Sequence, residues 1–251
     1  EHFPMNRSYG CCMDRGSRVT IICPTAQSDV GTGWFAYYMA KMGGFNLICK
    51  DVEVDMDEVD SFYNMSDEPL FDKKPRASYS TKDKDALAVL NRKDQLRTDY
   101  LSDIKKLSKG KGAWCIILTE HQKTTDNVTD IHFADNTKKA TNSTVKDVAV
   151  YERFYNMFAE QMQKEFGLSS VRQSPRYPLM KSNLAFRLQK EGVDVNTFVL
   201  RPSSHMMVFD TKKLAYAYRM ACIISDVLDN GKGIEADDVE DISSTGFGYR
   251  V

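Results

Sequence analysis

Short apolar runs of strand length alternate along this chain with longer stretches in which apolar residues return every third or fourth position. The run "VTIIC", Val19 to Cys23, breaks at Pro24 and passes through small and polar residues to Gly31 and Gly33. Beyond it, "WFAYYMAKMGG" predicts a helix from Trp34 to Met42, closed by Gly43 and Gly44. "FNLICKDVEV" predicts a second strand, and "AWCIILTEH" is continuous enough to be a central strand covered on both faces. From Asp83 to Lys109, Leu87, Leu90, Leu101, Ile104 and Leu107 fall at helical spacing. "TVKDVAVY" offers another strand, followed by a helix with Tyr151, Phe154, Tyr155, Phe158, Met162 and Phe166 on one face, stopped by Gly167.

The later chain is read in the same way. "RQSPRYP" reads as a proline-marked turn, with a short helix from Leu179 to Glu191 after it. "NTFVLRPSSHMMVF" is one strand broken at Pro202, or two, and Lys212 to Leu228 is a helix apolar nearly all round. Between these elements, "DVEVDMDEVDSFYNMSDEPLFDKKPRASYSTKDK" reads as a long surface excursion, and the polar stretch before Thr144 as a loop with a short element around Ile131 to Phe133. Strands alternating with helices predict an α/β fold: a single domain with a mostly parallel sheet flanked by helices. The expected organisation is an extended N-terminal arm (1–17), the α/β domain (18–230) and an acidic C-terminal tail (231–251).

Composition narrows the function classes. At 251 residues and 42% apolar, the chain can bury a full core. Its 34 basic and 35 acidic residues leave a net charge of −1, so no global field recruits nucleic acid. Only the local segments around Lys105 to Lys111 and Arg172 to Lys181 keep that class open. No apolar run has the length of about 20 residues that spans a bilayer, and the chain reads as soluble. Cys23, Cys49 and Cys115 fall in predicted strands, Cys222 in an apolar helix, and Cys11 and Cys12 in a loop-like segment. That usage reads as buried, reduced thiols and favours a reducing compartment, without fixing the localisation. Four N-x-S/T sequons, at Asn6, Asn64, Asn127 and Asn142, point the other way.

In open parallel sheets, ligands sit beyond the carboxyl ends of the strands. This rule selects Gln27 and Asp29 after the first strand, Glu120 and His121 after the central one, and Arg201, Ser203 and His205 at and after the late one. Trp34, opening its helix beside that rim, joins them as a stacking group. These are binding candidates; no catalytic residue and no metal ligand is assigned. Phosphate-loop, GxSxG and HExxH patterns are all missing from the sequence.

The order of "VTIICPTAQSDVG", "AWCIILTEH", "VAVYERFYNMFAEQMQKEFGL", "FVLRPSSHMMVF" and "LAYAYRMACIISDVLD" resembles that of the zinc-dependent N-acetylmuramoyl-L-alanine amidases, over roughly residues 18 to 230. The resemblance implies an amidase-like fold. It also implies a histidine near Thr25 or Ala26, a glutamate ligand near Gly33 and Trp34, and a catalytic glutamate near Val208 and Phe209, and none of these is in the sequence. Only His121 matches, and one imidazole holds zinc too weakly to keep it.

The expected function is therefore a non-catalytic α/β domain for binding or assembly, with no cofactor and a protein or glycan partner, in a cell-wall or virion setting. Two alternatives stay open. One is a metal-dependent hydrolase of amidase type, with zinc held by rearranged ligands from Asp29, Glu120, His121 and His205. The other is a nucleotide or nucleic-acid binder.

Overall fold

The computed structural model describes residues 4–26, 31–51, 84–120, 128–132, 143–166, 170–173, 184–203, 207 and 211–229. In chain order its elements are β1 (Met5–Arg7), β2 (Gly10–Met13), β3 (Val19–Cys23), α1 (Thr32–Gly43), β4 (Asn46–Lys50), α2 (Lys84–Leu107), β5 (Trp114–Leu118), β6 (Val128–His132), α3 (Val148–Phe166), β7 (Ser170–Gln173), α4 (Leu184–Lys190), β8 (Asn196–Pro202) and α5 (Thr211–Leu228). The strands form one sheet in the order β1-β2-β4-β3-β5-β8-β6-β7. Its centre, β4-β3-β5-β8, is parallel throughout, which gives the α/β architecture that the apolar runs predict. Among the described residues, no helix is long and apolar enough to cross a membrane.

Both faces of this centre are covered, and the alternation of side chains along each strand divides the core in two. Val19, Ile21, Leu47, Ile116, Phe198 and Leu200 belong to the cluster that packs with α1, α3 and α5. Ile22, Ile48, Cys115, Ile117 and Val199 belong to the other, with α2 and α4. A strand with an apolar partner on each side has no solvent face, which is why "WCIIL" is apolar at every position and buried throughout. Leu96, Tyr100, Ile104 and Leu107 carry the buried stripe of α2, and Tyr151, Phe154, Phe158 and Met162 that of α3.

Two expectations need correction. Residues 5–13, expected within an extended arm with Cys11 and Cys12 in a loop, form the hairpin β1-β2, joined by Ser8 and Tyr9 and paired antiparallel to β4. Strands of three and four residues are too short to show a periodicity. The expected strand in "TVKDVAVY" is the start of α3. The Asp147 carboxylate accepts the Val150 N–H at 3.2 Å, and this cap overrides the β-branched pattern. β7 takes in Arg172 and Gln173, the first two residues of "RQSPRYP", while the rest of that proline-marked stretch lies outside the described residues; β7 is parallel to β6, which itself runs antiparallel to β8.

A buried carboxylate docks the hairpin onto α2. Asp103 accepts hydrogen bonds from Arg7 Nε at 2.6 Å, Arg7 Nη2 at 3.1 Å and the Tyr9 hydroxyl at 2.7 Å. The Tyr9 ring stands edge-on to Tyr100, centroids 5.1 Å apart. Burial, reinforced by the bond to Asp103, raises the Tyr9 hydroxyl well above its ordinary value of 10.0. Folded Tyr9 therefore keeps its proton where unfolded Tyr9 loses it, so its contribution is full below pH 10.0 and declines as pH rises further. Tyr9→Phe is expected to lower unfolding free energy by about 1–2 kcal/mol at neutral pH in urea titrations. The gap between wild type and Tyr9→Phe should narrow in titrations repeated above that value.

Candidate functional site

Because β3, β5 and β8 are parallel neighbours, the segments leaving their carboxyl ends emerge on one rim of the sheet. Backbone bonds tie these segments together: the Thr119 N–H donates to the Leu200 carbonyl at 3.1 Å and the Ala26 N–H to the Lys50 carbonyl at 3.2 Å. Arg201 donates from Nη2 to the Glu120 carbonyl at 3.5 Å, which brings those two candidates side by side.

The first turn of α1 opens at the same rim. Its N-cap is Gly31, in a left-handed conformation with φ 90°, and no side chain caps the helix. A Cβ at Gly31 would lie 2.1 Å from the Met207 carbonyl oxygen, so only glycine lets the helix start against Met207. A Cβ at Gly33 would meet the Ala26 Cβ at 3.2 Å, so the turn after β3 and the first turn of α1 are in close contact. Trp34 is half-buried, with its ring edge-on to Phe35 at 5.6 Å and Tyr38 at 5.9 Å.

Three hydroxyls at this rim are fully buried at 0% exposure: Thr32 in the first turn of α1, Thr119 just past β5 and Ser203 just past β8. None of the three has a hydrogen-bond partner among the described residues. A buried hydroxyl left in this state costs about 1–3 kcal/mol, and a polar group entering the rim would remove that cost. Asp229 Oδ1, at the end of α5, also lacks a partner among the described residues, but it lies elsewhere. Ser108, at the end of α2, interacts with the Cys115 thiol. The amino end of the sheet is otherwise well bonded: Asn196 Oδ1 accepts from the Lys146 and Asp147 N–H groups at 2.8 and 2.9 Å.

Of the eight candidates chosen from sequence, Trp34, Glu120, Arg201 and Ser203 are at or beside this rim, while Gln27, Asp29, His121 and His205 lie outside the described residues. Thr32 and Thr119 were not chosen. Their signal was available, since Thr119 is the first polar residue after an unbroken apolar strand and Thr32 stands between two glycines.

The zinc that the amidase resemblance implies is a separate matter. Ala26 and Gly33, at positions where the resemblance would put a histidine and a glutamate, meet in space and offer no donor side chain. Among the described residues, no group of three or more His, Cys, Asp or Glu could hold a metal ion. The described residues therefore do not fit that group.

No protein-family model and no curated protein sequence matches the chain. Solved structures do. Gene product Atu2144 from Agrobacterium tumefaciens is similar at a TM-score of 0.54 and 12% identity, over 87% of this chain and 94% of that one. The succinylglutamate desuccinylase from Chromobacterium violaceum is matched at a TM-score of 0.43 and 11% identity, over 91% of this chain and 68% of that one. The likeness to the Agrobacterium protein is one of fold, and it is consistent with the amidase-like order of elements.

Gly31→Ala is expected to lower stability by about 2–3 kcal/mol, combining left-handed strain with the Met207 clash. The midpoint of urea unfolding, followed by circular dichroism, measures it.

Proposed function

We propose that the chain is a non-catalytic binding domain whose carboxyl rim takes a hydroxyl-rich ligand of glycan type. The observation that carries this reading is the set of buried hydroxyls, Thr32, Thr119 and Ser203, without partners among the described residues. Each can both donate and accept, which suits a ligand that does the same. Trp34, beside them, adds an aromatic face of the kind that packs on sugar rings. The uncapped N-terminus of α1 adds backbone donors at the same edge.

The amidase-like order of elements supports a ligand drawn from cell-wall glycan, in a wall or virion setting. Ala26 and Gly33, where that resemblance would put metal ligands, support binding without hydrolysis.

Isothermal titration with muropeptide fragments tests the proposal. Saturable binding is expected, weakened about 3- to 10-fold in Thr119→Val or Ser203→Ala, each of which removes a hydroxyl and keeps its volume or less. Release of peptide from peptidoglycan by the pure protein, abolished by a chelator and accompanied by near-stoichiometric zinc, would replace this reading with the hydrolase. Absence of saccharide binding in the folded protein would remove the glycan reading.

A further inference from the structure

Three cysteines lie in a row across three neighbouring strands. The register sets Cys11 of β2 opposite Cys49 of β4, and Cys49 opposite Cys23 of β3, so all three project from one face of the sheet. Cys11 donates its S–H toward Cys49, which interacts in turn with Cys23. Cys12, the chain neighbour of Cys11, belongs to the core cluster on the opposite face. Its thiol is therefore out of reach of the row.

Access separates the three thiols. Cys23 is 0% and Cys49 7% exposed, whereas Cys11 is half-buried at the edge of the α1 cluster. The Cα separation of Cys11 and Cys49 permits a crosslink. The Asp51 N–H donates to the Tyr9 carbonyl at 3.1 Å, so by the alternation of an antiparallel ladder Cys11 and Cys49 form the next hydrogen-bonded pair. Such pairs stand about 5.5 Å apart between Cα atoms, inside the range of about 4.4–6.8 Å found for disulfides, and their Cβ atoms, at the wide end of about 4.5–5.5 Å, have to close by about 1 Å to bond.

From this juxtaposition we infer that Cys11 and Cys49 are a thiol-oxidation site, closed to a cross-strand disulfide by small-molecule disulfides. The Cys11 thiolate attacks one sulfur of the small disulfide, forms a mixed disulfide and releases one thiol. Cys49 Sγ then attacks Cys11 Sγ, forms the internal bond and displaces the second thiol. The two cysteines lose two electrons and their two protons, and the small disulfide is reduced to two thiols.

Both thiols are normally protonated. The hydrogen bond to Cys49, burial and the nearby Asp51 charge raise Cys11. On Cys49 the bond from Cys11 pulls downward, but the Cys23 thiol, burial and Asp51 outweigh it. Exchange is therefore slow at neutral pH and faster in mild alkali.

The test uses the wild-type chain incubated with oxidised glutathione at about pH 8.5, where more thiolate is present, followed by tryptic digestion under non-reducing conditions and tandem mass spectrometry. The expected product joins the peptide Ser8–Arg15 through Cys11 to the peptide Met42–Lys50 through Cys49, with two of the six thiols lost and both restored by dithiothreitol. Cys11→Ser should abolish the crosslink and Cys23→Ala should retain it. Glutathione left on Cys11 beside a free Cys49, a crosslink through Cys12 or Cys23 instead, no crosslink at all, or one persisting in Cys11→Ser would each overturn the inference.

Discussion

Covering a parallel sheet on both faces is the constraint from which the rest of this structure follows. Side chains of β4, β3, β5 and β8 meet helices above and below, so the middle of each strand has no place for a polar group that water could reach. Polar chemistry is confined to the two ends of the strands. At the amino end the need is largely met from within: Asn46 Nδ2 donates to the Ser17 carbonyl at 2.9 Å while its Oδ1 accepts the Arg15 N–H at 2.8 Å. At the carboxyl end, Thr32, Thr119 and Ser203 have no such provision among the described residues. That asymmetry is what directs attention to one rim.

How much of this was legible beforehand follows from the lengths of the signals. Five-residue apolar runs and helices of twelve residues or more leave a period that can be read, which is why β3, β4, β5 and α1, α2, α3 and α5 were found. The hairpin was missed because three residues cannot show an alternation, and its anchor is a tertiary contact between residues 96 positions apart, Arg7 and Asp103. The start of α3 was missed because Val148 and Val150 favour strand locally, and one aspartate at the cap decides otherwise. Sequence spacing correctly grouped the ends of β3, β5 and β8. It selected Gln27, Trp34 and Ser203 beside charged and imidazole side chains and passed over Thr32 and Thr119, whose buried hydroxyls without partners stand out once burial is known.

Glycines shape the rim as much as its polar groups do. Gly31 and Gly33 flank Thr32, and between them they bring the first turn of α1 against Met207 on one side and Ala26 on the other. The same closeness leaves Gly33 beside Cys49, whose Sγ lies 3.9 Å from where a Cβ would stand. The helix start, the rim and the cysteine row are thus parts of one packed region, each limiting the size of what its neighbour can carry.

The outermost strand has a bearing on how copies of this chain meet one another. β1 is three residues long and exposed along its whole length, and its last residue is tied sideways to Asp103 through the guanidinium. A foreign strand arriving there would meet only the three residues of β1. Brevity at this border works against runaway sheet extension.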